Sequence, residues 1–253
     1  MTYNAGVGRY STTSRLAGIT ADQWGLVTRR QAEQAGVSRA TLQRLATESV
    51  LKRVAHGVYR LAGAPNPNYL DLRVAWLQLA PDIPAWERKP SEGIVSHRSA
   101  AAVYGLGHLP ADHHEFTTPT RRQSRRPDVR LHMRRIGPEE YIELGGLPVT
   151  RPSRIASDLL YEREEPEAVA QIVADAIRGA YDYPGTFADA LAPHAAQFGL
   201  RRGDGLALLR WLLDLVCDPK TTQWMQEARE SVARAWSTAQ KPQAAPAGKA
   251  RRR

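Results

Sequence analysis

The sequence predicts an α+β chain: an N-terminal winged helix-turn-helix, then a mixed α/β domain with a mostly helical C-terminal half. Three observations carry this. Two short apolar-periodic runs flank "AGVS" in "TRRQAEQAGVSRATLQRL" (28–45). A basic stretch with apolar positions on either side of a turn follows, "VLKRVAHGVYRL" (50–61). Beyond the Pro/Asn/Gly cluster "GAPNPN" (63–68), strand-like runs give way from residue 167 to long helical stripes.

The first helix of the pair is expected to be capped by Thr28, with Gln31 three residues on completing a capping box. Ala32 and Ala35 are small, as inward positions must be where a second helix approaches closely. Gly36 suits the left-handed residue that ends the helix, and Val37 plugs the turn. Ser38 is the expected cap of the second helix, whose inward residues are Leu42 and Leu45. Its outer face then carries Ser38, Arg39, Thr41, Gln43 and Arg44, preceded by Arg29 and Arg30. A recognition helix presents residues of this type to base edges in a major groove. The following hairpin, with Val50, Leu51, Val54, Val58, Tyr59 and Leu61 as apolar positions, carries Lys52, Arg53, His56 and Arg60. As a wing, it is expected to bind mainly phosphate.

The remaining elements follow from local signals. "YLDLRVAWLQLA" places Leu72, Ala75, Trp76 and Leu79 at helical spacing before Pro81. "SHRSAAAVYGLG" is a short helix with Ser96 as cap and Gly105 as stop. Strands are expected at "HEFTT" (114–118), "DVRLHM" (128–133) and "LPVT" (147–150). A helix follows in "PSRIASDLLY", where Pro152 is tolerated in the first turn. Val169, Ile172, Val173, Ala176 and Ile177 form one helical stripe; Leu206, Leu209, Leu213 and Val216 form another. The expected division is 1–64 for the winged helix, 65–238 for the second domain and 239–253 for a disordered basic tail.

Bulk composition narrows the function. Hydrophobic residues make up 42% of 253, enough for a packed core, and the formal net charge is +9. Nine Lys/Arg against three Asp/Glu give residues 1–64 a net +6; residues 65–165 are balanced, fourteen against fourteen. Basic excess concentrated at the helix-turn-helix points to an anionic partner. The single cysteine, Cys217, excludes an intrachain disulfide framework and suits a cytoplasmic protein. No signal peptide is evident at the N-terminus. "GLALLRWLLDLVC" (205–217) is too short for a membrane span and carries Arg210 and Asp214.

No catalytic constellation emerges. In "ADHHEF" adjacent strand residues His113 and His114 point to opposite faces, which argues against a shared metal. His97 reads as a capping or polar core residue rather than a general base. No Walker loop, Rossmann glycine pattern or nucleotidyltransferase motif appears, so no catalytic residue, metal or cofactor is expected. "TRRQSRRPDVR" (120–130) reads either as a solvated hairpin loop or as a second nucleic-acid contact beside the winged helix, with the solvated loop favoured because local acids balance its charge.

The stretch from Gly25 to Gly63 resembles the N-terminal winged helix of the AbiEi family, antitoxins of type IV toxin–antitoxin systems. "VSHRSAAAVYGLG" (95–107) and "GGLPVTRPSRIASDLL" (145–160) resemble two further segments of that family. Ile155, Ala156 and Ser157 depart from its usual Thr, Leu and apolar residue, while Arg154 and Asp158 are retained four apart, where they can pair on one helix face. The resemblance implies an autorepressor that binds inverted repeats in its own operon promoter. It also implies counteraction of a co-encoded nucleotidyltransferase-like toxin through the C-terminal domain, without a stable complex. Arg121, Arg122, Arg125, Arg126, Arg154 and Asp158 are the candidates for the antitoxin role. The same N-terminal arrangement also occurs in proteins ending in an endonuclease-like domain. A DNA-processing enzyme and a stand-alone regulator therefore remain alternatives, although residues 166–238 read as helices rather than a nuclease core.

Overall fold

The structure, a computed structural model, describes residues 5–239, with side chains described over 12–234. The N-terminal unit runs α1 (Ala5–Ala21), β1 (Leu26–Thr28), α2 (Arg29–Gln34), α3 (Arg39–Thr47), β2 (Leu51–Ala55) and β3 (Val58–Leu61). The three strands form an antiparallel sheet in the order β1-β3-β2. Period-two alternation gives this sheet two differently used faces. Val27, Leu51 and Tyr59 face α1, α2 and α3 and join a core with Leu16, Ala32, Val37, Leu42 and Leu45. Leu26 and Val58 face the other way and belong to the core of the second domain.

That second domain begins without a free linker. α4 (Leu70–Leu79) follows residues 63–68 directly and is buried from Leu72 through Leu77, because it lies between β1 on one side and the larger sheet on the other. The expected stripe therefore shows only part of its burial, and Leu79 is half-buried. Trp24 fastens the two units. Its indole N–H donates to the Gly145 carbonyl at 2.9 Å, its ring meets Trp76 edge-on at 5.9 Å, and the Arg73 guanidinium lies 4.3 Å above it. Gly145 and Gly146 turn the chain there with φ of 54° and 82°, and a Cβ on Gly146 would press on the Trp24 ring at 3.0 Å.

The larger sheet comprises β4 (Ile94–Val95), β5 (His114–Thr118), β6 (Val129–Met133), β7 (Tyr141–Leu144) and β8 (Leu147–Thr150), in the order β6-β5-β4-β8-β7. Pairings β4/β8 and β5/β6 are parallel, the others antiparallel. α5 (His97–Tyr104) crosses this sheet and ends at Gly105, whose φ is 72°. Ser96 holds the N-cap position but caps nothing: its hydroxyl is engaged by His97 and Thr117 instead.

The C-terminal half is helical: α6 (Pro152–Tyr161), α7 (Pro166–Arg178), α8 (Pro184–Leu191), α9 (Gly205–Leu215) and α10 (Thr221–Ala239). The α7 stripe is buried at every expected position. In α9 the buried face is centred on Leu208, Leu209, Leu212 and Leu213, because α7 and α8 both pack on it; Leu206 and Val216 are half-buried at its margin. Of the expected tail, Ala239 is the last residue of α10, and residues 240–253 lie outside those described. No helix among the described residues is long and apolar enough to cross a membrane.

Candidate nucleic-acid interface

Caps set the helix pair. The Thr28 hydroxyl accepts the Gln31 N–H at 3.1 Å, and the Gln31 side chain accepts the Thr28 N–H at 3.0 Å, a closed capping box. Gln31 does more than cap. Buried to 2% exposure, it exchanges hydrogen bonds with Gln23 (2.8 and 3.2 Å) and donates to the Ile83 carbonyl at 3.0 Å. Gly36 takes φ 78° just beyond α2, with Ala35 half-buried as its C-cap. The Ser38 hydroxyl accepts the Thr41 N–H at 3.2 Å and meets the Thr41 hydroxyl at 2.9 Å. Leu42 and Leu45 turn α3 inward, leaving Arg39, Gln43, Arg44 and Thr47 exposed.

A groove of about 480 Å³ runs between α3 and the wing, lined among others by Arg29, Arg39, Gln43, Thr47, Arg53 and His56. Arg53 enters it because it shares a sheet face with Leu51 and Tyr59, the face toward α3. Its guanidinium lies 3.4 Å from His56 Nδ1 across the turn closed by Gly57, φ 70°. No ion pair engages Arg39 or Arg53 among the described residues.

The other named residues are placed differently. Lys52 and Arg60 are partners across β2 and β3 and share the opposite face, with Leu26. Lys52 is exposed, whereas Arg60 donates to Asn66 at 2.8 Å and its Nε is buried without a partner. Arg30 pairs with Asp82 at 3.0 Å, joining α2 to the segment after α4. Arg29 pairs with Glu33 at 3.3 Å and Arg44 with Glu48 at 2.9 Å, both one helical turn apart and partly exposed. Exposed pairs of this kind contribute roughly 0.3–0.5 kcal/mol and open readily for a phosphate.

The arginine loop lies beside the wing. A second cleft of about 560 Å³ is lined by Arg29, Arg30 and His56 on one side and Arg122, Arg125 and Arg126 on the other. Gln78 of α4 bridges the wing and this loop: it donates to the His56 carbonyl at 2.8 Å and accepts from Arg126 at 2.7 Å. Arg126 also holds Asp128, whose carboxyl is pushed down to about 2, chiefly by that hydrogen bond. Arg122 donates to the carbonyls of Leu79 and Glu92. Arg121 and Arg125 are exposed.

Arg154 and Asp158 are paired at 2.9 Å in α6, and Arg154 also reaches Glu140 at 2.6 Å. Those carboxylates outweigh burial and raise the guanidinium pKa. Asp158 is 2% exposed with Oδ2 unpartnered, and burial raises its carboxyl despite Arg154. This pair lines a separate cleft of about 750 Å³ with Arg134, Ser157 and His194.

The "SHRS" segment binds α5 to β5. The Arg98 N–H donates to Glu115 at 3.1 Å, the Ser99 hydroxyl donates to the His113 carbonyl at 2.9 Å, and the Glu115 N–H donates to Ser99 at 2.9 Å. His114 points away from Glu115 toward Asp128, as strand alternation requires. His97, Glu115 and His132 converge, a grouping that sequence spacing did not reveal.

Comparison with known proteins agrees with the geometry of the first unit. Residues 14–62 match the family described as transcriptional regulator, AbiEi antitoxin, which spans the end of α1, the capped helix pair and the wing. A search of curated proteins finds no match to the chain. Over its N-terminal winged helix the chain is thus similar to the transcriptional regulators of the AbiEi antitoxin family.

Proposed function

We propose that the chain is a sequence-specific DNA-binding autorepressor of its own operon and a type IV antitoxin with no catalytic activity of its own. The observation that carries the first half is the groove between α3 and the wing, with Arg39, Gln43 and Arg53 exposed along it and net positive charge around it. Arg39, Gln43 and Thr47 are disposed to meet base edges in the major groove, with Arg53, His56 and Lys52 on flanking phosphates. Arg121 and Arg125 extend the same basic surface. This favours the second-contact reading of the arginine loop over the solvated one, because Gln78 holds that loop beside the wing. Inverted repeats in the operon promoter are the proposed operator, and the cytoplasm the proposed compartment. The second domain, through Arg154, Asp158 and the surrounding cleft, is the proposed seat of activity against a nucleotidyltransferase-like toxin.

The test is gel retardation of DNA from immediately upstream of the protein's own coding sequence. The full chain should shift it, and Arg39→Ala with Arg53→Ala should not, at unchanged circular dichroism. Equal retardation by the double variant would refute the assignment. Plasmid incubated with protein and magnesium should stay intact; cleavage abolished by an acidic-residue variant would favour a DNA-processing enzyme instead.

A further inference from the structure

We propose that His97, Glu115 and His132 form a binding site for one divalent transition-metal ion of the zinc class. The register of the larger sheet creates the site. Parallel pairing sets Glu115 opposite Arg130 and Thr117 opposite His132, so Glu115 and His132 lie diagonally adjacent on one sheet face. The first turn of α5 then brings His97 over that face. One donor atom from each residue lies within 4.8 Å of the others, and the two imidazoles stack at 3.6 Å with 17° between their planes. Around a tetrahedral ion with bonds of about 2.0–2.2 Å the donors lie about 3.3–3.6 Å apart, so binding draws the three atoms together and swings the two stacked rings out of parallel until both lone pairs converge.

Two further observations point to a ligand. His97 is 1% exposed, yet its Nε2 has no hydrogen-bond partner; His132 Nε2 is likewise buried without one. A buried polar atom without a partner is destabilising, and here two occur side by side. A metal would engage both lone pairs. His97 also carries φ 52° without being glycine, a backbone strain typical of functional positions.

The donor chemistry fits the ion. His97 is buried, and burial disfavours the charged imidazolium, leaving the neutral ring that can ligate. Its Nδ1 lies 2.9 Å from the Ser96 hydroxyl, which itself accepts from Thr117. Donation from Nδ1 to Ser96 leaves the Nε2 lone pair for the metal, the usual second-partner arrangement of a ligating histidine. One oxygen of Glu115 accepts the Arg98 N–H, leaving the other for the ion. Arg130 is 3.9 Å from that second oxygen, but its side chain is 55% exposed and can turn into solvent. Two neutral imidazoles and a carboxylate select a borderline divalent ion over calcium or magnesium, and three protein ligands leave a position for water.

The experiment uses the full chain stripped with a chelator and titrated with cobalt(II), then zinc, followed by visible absorption and calorimetry. The expected result is one ion per chain with d–d bands that zinc abolishes. Glu115→Gln, His97→Asn and His132→Ala should each weaken affinity by more than about 100-fold, since even outer partners of ligands contribute 10–100-fold. His56→Ala, His108→Ala and His113→Ala should bind normally. Glu115→Gln keeps the acceptor for Arg98 and decides the matter if a histidine variant fails to fold. Absence of stoichiometric binding, or affinity unchanged by Glu115→Gln, would overturn the site.

Discussion

Arg39 and Arg44 share the outer face of α3 but differ in surroundings. Arg39 has no ion-pair partner among the described residues, whereas Arg44 holds Glu48. A guanidinium bidentate to guanine contributes about 1–3 kcal/mol of discrimination. Arg39→Ala should therefore weaken specific binding roughly ten- to hundredfold. Glu48→Gln should tighten DNA binding by freeing Arg44 and removing a negative charge, a sign opposite to that of the arginine variants. Fluorescence anisotropy at fixed salt measures both. Lys52→Ala should weaken binding alike on all sequences and lower the salt slope by about 1. In the arginine loop, Asp128 titrates lower in the folded protein than in the unfolded chain. The stability it contributes is thus present above the unfolded carboxylate value near pH 4 and is lost as pH falls from there toward 2. Asp128→Asn should flatten the fall of the urea midpoint across that window. The effect is small, because the side chain is 42% exposed.

At the scale of elements, the caps were legible because they depend on residues three apart. Thr28 with Gln31, Ser38, Gly36 and Gly105 all occupy the positions their types suggest. Ser38→Ala should cost about 1 kcal/mol in a denaturation curve. Gln31→Ala should cost more, about 1–3 kcal/mol, because it removes the capping bond to Thr28 together with the buried hydrogen bonds to Gln23 and the Ile83 carbonyl. Periodicity did not show β1, β4 or β7: strands of two to four residues contain too few alternations to count. Nor did it show why α4 is buried nearly all round, since that depends on what packs on both sides. Ser96 shows the limit of cap signals: the residue type is right, but a buried histidine and threonine compete for its hydroxyl. The grouping of His97, Glu115 and His132 comes from parallel pairing between strands distant in sequence, which no local spacing encodes.

At the scale of the molecule, the winged helix is docked rather than tethered. Leu26 and Val58 lie in the core of the second domain, and Trp24, Arg30, Gln31 and His56 all bond across the boundary. Removal of the first 64 residues would expose α4, so antitoxin activity is best separated from DNA binding by point variants in the full chain. Trp24→Ala should cost about 3 kcal/mol and lower a single cooperative melting transition. Gln78→Ala should release the arginine loop from the wing and weaken DNA binding severalfold without comparable loss of stability. Whether the groove between α3 and the wing reads DNA is decided by the affinity of the full chain for its own upstream DNA. Anisotropy titration of the wild type against the Arg39→Ala, Arg53→Ala double variant should show at least about a hundredfold loss with an unchanged melting temperature. Wild-type affinity retained by the folded double variant would contradict the account.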